Sequence, residues 1–129
     1  MTAPLRRLWR VKFDTDAWDT DLRAASKAAR EQAQLWRRRV EAAGGIPHAE
    51  LRATRPEDDA GVPLPGCVKT RIPYPDDDDP RRSPWGAVLR GALDENGRPY
   101  LSFRAFGLRH PSGGRPSVYD RAHRRLTSP

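Results

Sequence analysis

The segment Tyr100-Leu-Ser-Phe-Arg-Ala-Phe106 decides the fold, because it is the clearest strand in the chain and leads into the clearest helix. Apolar and polar side chains alternate along it, and a period of two is typical of a β-strand. Leu101, Phe103 and Ala105 are predicted to share one face of this strand. The residues between them, and Phe106, are predicted to share the other face.

A helix is predicted from Ser117 to Leu126, after a glycine-containing turn. Ser117 precedes Asp120 by three positions, which resembles a capping box and places negative charge at the helix start. Three apolar residues recur at four-residue spacing and form a stripe along this helix: Val118, Ala122 and Leu126.

Strand, turn and helix bring four basic or proton-exchanging side chains towards one point. Arg109 and His110 follow the strand directly, and Tyr119 and His123 lie one helical turn apart. We expect these side chains to converge where the strand ends and the helix begins. The cluster contains no carboxylate or thiol of its own, so its chemistry would depend on positive charge and proton transfer.

Positive charge is concentrated near the C-terminus. The chain has 24 Lys and Arg against 17 Asp and Glu, a net charge of +7. From Arg98 onward there are seven Arg and one Asp, so 7 − 1 = +6 of that charge lies in this segment. Such segregation favours a polyanion such as nucleic acid as the partner. The alternative is that the Arg-rich composition only keeps the protein soluble.

Length and cysteine content limit the possible classes. We expect a single domain spanning residues 1–129. Cys67 is the only cysteine, which excludes a disulfide framework and a cysteine-based zinc site, and we expect neither metal nor cofactor. No apolar run approaches membrane-spanning length, and the first ten residues lack the apolar core of a signal peptide. A cytoplasmic protein without membrane association is therefore expected.

The N-terminal part of the chain predicts a strand and a helical region. Residues alternate over 8–13, which predicts a first strand. Apolar residues follow helical spacing over 17–43, with two tryptophans in core positions, and a Gly-Gly step ends the pattern. Ser26 could cap a second helix inside this region, so one long helix and a pair of helices are both open.

The central part predicts two more strands. No period is visible over 46–66, whereas alternation predicts a strand at 67–72, and a further strand is predicted at 86–93. Asp94-Glu-Asn-Gly97 is a hairpin turn that returns the chain into the strand at Tyr100. Residues 73–84 form a proline-bounded loop that contains four adjacent aspartates, Asp76 to Asp79, and should be solvated.

This order of elements predicts an α+β fold. We expect one small antiparallel sheet with the N-terminal helix or helix pair packed on one face, and a short C-terminal helix. Four cations could then share a basic concave face if the strand registers permit it: Lys69, Arg71, Arg104 and Arg109.

The chain resembles the RelE/ParE toxin superfamily, in particular its RelE/HigB-like members. Trp9-Arg-Val-Lys-Phe-Asp14 and Ala17-Trp-Asp-Thr-Asp-Leu22 are similar to the family's opening strand and first helix. Phe106-Gly-Leu-Arg-His110 and the helix at 117–126 are similar to its last strand, basic turn and C-terminal helix. Cys67-Val-Lys-Thr-Arg71 resembles the basic strand that holds RNA phosphates. The likeness covers most of the chain loosely and its C-terminal part well.

The resemblance implies a function. RelE-like members cut mRNA on the ribosome, ParE-like members inhibit DNA gyrase, and antitoxins neutralise both. The expected protein is the toxin of a toxin–antitoxin system and a metal-independent endoribonuclease, whose partners are mRNA, the ribosome and an acidic antitoxin. Attack by a ribose 2′-OH on the adjacent phosphate needs a base, an acid and fixed positive charge.

Residue roles follow from the same resemblance. By position, Tyr119, Arg109 and His110 would be catalytic. Five further residues would contact RNA: Lys69, Arg71, Arg104, Arg124 and Arg125. The last two could instead offset the dipole at the end of the C-terminal helix.

The alternative is a non-catalytic protein of the same fold that inhibits a partner such as gyrase or binds nucleic acid. In that case Tyr119 only packs its ring on the sheet. Convergence of the catalytic candidates with Lys69 and Arg71 would favour the enzyme, and divergence would favour the binding protein.

Overall fold

The structure is a computed structural model and describes residues 7–13, 15–57, 59, 61–73 and 83–127. The four aspartates Asp76–Asp79 lie outside these residues. The described residues form three helices: α1 (Thr15–Ala24), α2 (Lys27–Ala43) and α3 (Val118–Thr127). They also form seven strands: β1 (Leu8–Trp9), β2 (Val11–Lys12), β3 (Ile46–Pro47), β4 (Arg52–Ala53), β5 (Cys67–Arg71), β6 (Trp85–Leu93) and β7 (Pro99–Leu108). A 3₁₀ turn at His48–Glu50 links β3 to β4.

Five strands make one mixed sheet in the order β2-β7-β6-β5-β4, and β1 pairs with β3 in a separate two-stranded sheet. The predicted α+β class with a C-terminal helix is confirmed. The sheet is not antiparallel throughout, because β2 runs parallel to β7. The predicted first strand divides at Arg10, so that its first half pairs with β3 and its second half joins the edge of β7.

The helical region is a pair of helices. The Oγ of Ser26 accepts a hydrogen bond from the Ala29 N–H at 3.3 Å, which satisfies one of the unpaired donors at the start of α2. At the other end, Gly44 has φ +83°, a left-handed conformation that disfavours residues with a Cβ. In the part of the chain that the structure describes, no helix combines the length and apolarity needed to span a bilayer.

The helix pair packs on one face of the sheet through aromatic rings. The ring of Trp18 lies edge-on to Phe103 with centroids 5.2 Å apart, and it is 6.4 Å from the ring of Trp36. Phe13, which directly follows β2, lies 5.3 Å from Trp18. The tryptophans are therefore core residues, as their helical spacing predicted. Aromatic pairs of this kind add about 0.5–1.5 kcal/mol beyond the area they bury.

α3 packs on the opposite face. Along β6, Ala87 and Leu89 belong to the core beneath α1 and α2, whereas Val88 belongs to the core beneath α3. Successive residues of a strand face opposite sides, so the sheet lies between the helix pair and α3. The second core contains Val118, Tyr119 and Ala122 of α3.

An extra residue in β7 changes which side chains face each core. Val88 pairs with Ala105, but Leu89 pairs with Phe103, so Arg104 is a β-bulge. Phe103 and Phe106 both face the helix pair, and Ala105 faces α3. The prediction that Ala105 shares a face with Phe103 is wrong, because the bulge resets the alternation.

A buried carboxylate connects α1, β7 and α3. Asp21 of α1 is 1% exposed, and its Oδ2 accepts the Phe106 N–H at 2.8 Å, beyond the point where β2 covers the edge of β7. Arg125 of α3 donates to both Asp21 oxygens at 2.7 and 2.8 Å and to the Arg104 carbonyl at 2.6 Å. Arg121 donates to Asp21 at 3.4 Å and to the Phe106 carbonyl at 3.2 Å. These bonds fix the position of α3 against the sheet.

Candidate functional site

The start of α3 is held by the predicted capping box. The Ser117 N–H donates to Asp120 Oδ2 at 3.0 Å, and the Asp120 N–H donates to Ser117 Oγ at 3.1 Å. Both groups would otherwise lack partners at the helix terminus. Tyr119 lies in the first turn of this helix, so the cap and the Asp21 contacts position its ring from both ends of α3.

Arg109 contacts Tyr119 at the end of β7. Its Nε donates to the Tyr119 hydroxyl at 3.3 Å, and its Nη1 donates to the Ser83 carbonyl at 3.2 Å. The Arg109 N–H also bonds the Pro84 carbonyl at 2.7 Å. A guanidinium has five N–H donors, so these side-chain contacts leave donors for an anion. The side chain is therefore held in place while still able to bind a phosphate.

Gly86 makes room for this arginine. A Cβ at position 86 would lie 3.2 Å from Arg109 Cγ and 3.2 Å from the Thr70 carbonyl oxygen. Contacts this short force a neighbour to move, and one of the two neighbours is backbone. Glycine at position 86 therefore lets the Arg109 stem lie directly on β6.

Two adjoining cavities, of about 320 and 740 Å³, open beside Tyr119 and Arg109. We call them together the basic cleft, because the same four cations line both: Arg52, Lys69, Arg71 and Arg109. Among the described residues, Arg55 and the carboxylates of Glu50 and Glu57 complete the charged lining, giving five cations against two acids. The lining therefore favours an anion.

Strand register explains why these cations share a face. Lys69 lies opposite Val88, whose side chain faces α3, and Arg71 follows at the next same-face position of β5. Arg52 of β4 pairs with Lys69 from the other side. All three side chains therefore lie on the α3 side of the sheet, next to Tyr119.

Lys69 is held by a carboxylate that the sequence did not indicate. Its Nζ lies 2.7 Å from Oδ1 of Asp59, which is fully buried, and 5.8 Å from the centre of the Tyr119 ring. The cluster predicted from the sequence has no carboxylate of its own, but in the structure Asp59 pairs with Lys69 and two glutamates line the cleft.

His110 lies at the outer part of the cleft. It is exposed and lines the larger cavity, and its ring centre is 6.2 Å from that of Tyr119. The structure therefore brings together five of the predicted site residues, which all line the cleft: Lys69, Arg71, Arg109, His110 and Tyr119.

The remaining predicted site residues do not line the cleft. Arg125 forms the ion pair with Asp21, and Arg124 lies exposed in the last turn of α3. Arg104 lies near Cys67, at the end of β5 away from Arg71. Burial raises the pKa of the Cys67 thiol, and the positive charges of Arg90 and Arg104 act in the opposite direction. The four cations predicted to share a face therefore do not all meet.

The sequence did not indicate those site residues that lie in segments without a periodic pattern. Arg52, Arg55 and Asp59 lie in the proline-rich stretch between α2 and β5, where no period predicts which side chains point to the sheet. Ser83 and Gly86 flank the start of β6 and support Arg109. Alternation at Lys69 and Arg71 was the one signal that pointed to this face.

Two kinds of chemistry are available in the cleft: its cations can bind an anion, and its side chains can transfer protons. Among the described residues, no group of three or more His, Cys, Asp or Glu side chains is placed to hold a metal ion. Comparison with known proteins finds no matching protein-family model, no matching curated protein and no matching solved structure.

Proposed function

We propose that this chain is a RelE/HigB-like toxin: an endoribonuclease that cleaves mRNA, on the ribosome, without a metal ion, and that an acidic antitoxin neutralises. The observation that carries the proposal is the contact between Arg109 and Tyr119 inside the basic cleft. A proton-transfer group and a fixed cation lie side by side where further cations can hold a nucleic-acid backbone.

RNA supplies its own nucleophile, which limits what the protein must provide. The 2′-oxygen attacks phosphorus and the bond from phosphorus to the 5′-oxygen breaks, leaving a 2′,3′-cyclic phosphate and a 5′-hydroxyl. A base accepts the proton of the 2′-hydroxyl, an acid gives a proton to the 5′-oxygen, and positive charge stabilises the phosphorane. Cations and proton-transfer groups therefore suffice.

The geometry supports one set of roles. Arg109 is held by Ser83 and Tyr119 and retains donors for a phosphate oxygen. The ring centres of Tyr119 and His110 are 6.2 Å apart, so these two side chains are the candidates for proton transfer at the scissile phosphate. Arg52 and Arg71 would hold neighbouring phosphates, since they line both cavities.

Burial of Tyr119 is the observation that favours the alternative, a non-catalytic binding protein. The side chain is 2% exposed and its hydroxyl already accepts a hydrogen bond. In this alternative, the Tyr119 phenol shapes the cleft without transferring a proton, and the cations bind a polyanion that the protein does not cleave.

Cleavage assays with purified variants separate the two. Tyr119→Phe should slow cleavage of translated mRNA by about 10²- to 10⁴-fold with unchanged RNA affinity, because a proton-transfer group is lost. Arg109→Ala should lower both cleavage, by about 10²- to 10³-fold, and affinity, because its charge contacts the phosphate in ground and transition states. Primer extension on the mRNA measures cleavage, and filter binding measures affinity.

Tyr100→Phe and Arg39→Ala are matched controls. Tyr100 lies on β7 outside the cleft, where Lys12 stacks on its ring, and Arg39 is exposed on α2. Neither change should alter cleavage. Wild-type protein that binds RNA but never cleaves translated mRNA would leave the binding function in place of the enzyme.

A further inference from the structure

Asp59 is a fully buried carboxylate beside the basic cleft, and the proposed reaction does not use it. It lies behind Lys69 and lines neither cavity. Burying a carboxylate is costly unless it is paired and hydrogen-bonded. Both of its oxygens have partners: Oδ1 accepts from Lys69 Nζ at 2.7 Å, and Oδ2 accepts from the Arg55 N–H at 2.6 Å.

The loop around Asp59 is built to hold it in place. The Asp59 N–H bonds the Pro56 carbonyl at 3.3 Å, and the Gly61 N–H bonds the same carbonyl at 2.8 Å. The Val62 N–H then bonds the Asp59 carbonyl at 3.2 Å. The loop therefore holds Asp59 in one position, independently of the bond to Lys69.

Lys69 is the side chain that connects this anchor to the cleft, because the bond from Arg55 to Asp59 comes from the backbone N–H. Its side chain is 18% exposed, lines both cavities and lies 5.8 Å from the Tyr119 ring centre, within range of a cation–π interaction. An ammonium has three N–H donors, so the bond to Asp59 leaves donors that can face the cleft. A flexible lysine is thereby given one position beside Tyr119.

We infer that Asp59 is a positioning residue with two effects. It fixes the Lys69 ammonium beside Tyr119 for transition-state stabilisation, and it lowers the attraction of that ammonium for RNA in the ground state. The kinetic part rests on the proposed function. An ammonium paired with a carboxylate attracts a phosphate less than an ammonium without such a partner does. A preorganised cation, however, stabilises developing charge better than a mobile one. Removing the Asp59 charge should therefore tighten binding and slow cleavage.

The test is Asp59→Asn, which keeps the shape of the side chain and removes its charge. We expect kcat to fall about tenfold, less than for loss of a whole preorganised donor, while KM falls too. The log–log salt dependence of binding should steepen by about 0.7, as for one more phosphate contact with a single strand. Glu31→Gln, an exposed change of equal charge on α2, should leave kcat, KM and the salt dependence unchanged.

A merely structural Asp59 would lower affinity and melting temperature without this joint fall in kcat and KM. If Asp59 acts through Lys69, adding Asp59→Asn to Lys69→Met should have no further effect on kcat. An unchanged kcat in Asp59→Asn, or an effect that persists in the Lys69→Met background, would overturn the inference.

Two measurements do not depend on cleavage. Affinity for a 2′-O-methyl oligonucleotide, which lacks the nucleophile, should rise in Asp59→Asn whether or not the wild type is an enzyme; an equal or lower affinity contradicts the charge argument.

In wild-type protein, acetic anhydride should modify Lys69 more slowly than exposed Lys27, as read by mass spectrometry. Equal rates would show that Asp59 does not hold the ammonium. Absence of cleavage alone would refute the proposed function and leave these results to decide on Asp59.

Discussion

Replacing Asp21 by alanine should destabilise the fold strongly. Asp21 joins three elements, because its carboxylate accepts from the Phe106 N–H of β7 and from Arg121 and Arg125 of α3. Alanine removes every one of these bonds and leaves the Phe106 N–H buried without a partner. The two arginines lose their anion, although both retain access to water, with side chains 25% and 26% exposed.

The size of the effect follows from these contacts. An unsatisfied buried N–H costs about 1–3 kcal/mol, and a hydrogen bond to a charged group contributes about 1.5–3 kcal/mol. Removing one partner of a buried ion pair costs about 3–5 kcal/mol, and exposure of the arginines reduces that figure. We expect a loss of about 3–5 kcal/mol in the free energy of unfolding, a large fraction of a typical 5–15 kcal/mol. The melting temperature should fall by roughly 10–20 °C.

Urea unfolding followed by circular dichroism measures this loss. Asp19→Ala is the matched control, because Asp19 is exposed on the same helix and its change should stay within about 0.5 kcal/mol. Asp21→Asn should lie between the two, since its amide oxygen can still accept the Phe106 N–H. A loss in Asp21→Ala equal to that in Asp19→Ala would refute the view that this carboxylate holds α3 to the sheet.

Three further outcomes are expected. Gly86→Ala should lower cleavage by displacing Arg109, whereas Gly91→Ala, whose Cβ would meet nothing closer than 3.7 Å, should not. A hydrogen bond from Arg10, aided by the N–H groups of residues 98 and 96, holds the pKa of Asp94 below its usual value. Asp94→Ala should therefore destabilise the fold at neutral pH. The difference in urea unfolding should begin to shrink near pH 4, about the unfolded pKa, and should be lost as pH falls through the lower pKa of the folded state. Arg71→Ala should reduce the salt slope of RNA binding by about 0.7, and Arg124→Ala, outside the cleft, should leave it unchanged.

The sequence predicted those features that local chemistry specifies. Ser117 and Asp120 form the reciprocal cap that their spacing indicated, and Ser26 caps α2 through its own hydroxyl. The turn at Asp94 is another such case, because its carboxylate accepts the N–H groups of Asn96 and Arg98 at 2.9 Å each. Each device involves residues within four positions of one another, so neighbouring letters suffice to identify it.

Features that depend on distant partners could not be predicted in this way. The bulge at Arg104 arises from pairing between two long strands, and nothing in the alternation of β7 marks it. The segment from Arg52 to Asp59 has no period, yet its contacts with β5 supply much of the cleft. For the same reason Arg125 was expected on RNA, whereas its partner is a carboxylate 104 positions earlier in the chain.

Charge shows the same difference between order in sequence and position in space. The segment from Arg98 onward carries most of the net charge, but two of its arginines, Arg121 and Arg125, are held by Asp21. Five cations of the described part of the chain line the basic cleft, and one of them, Arg109, belongs to that segment; the other four are Arg52, Arg55, Lys69 and Arg71. They come from the part of the chain with 17 basic and 16 acidic residues, a net charge of +1. A near-neutral segment can thus supply an anion site, because the sheet gathers several of its cations on one face and most of its described acids do not line the cleft. The cations of the cleft, and not the total charge of the C-terminal segment, should therefore determine how strongly RNA binding depends on salt.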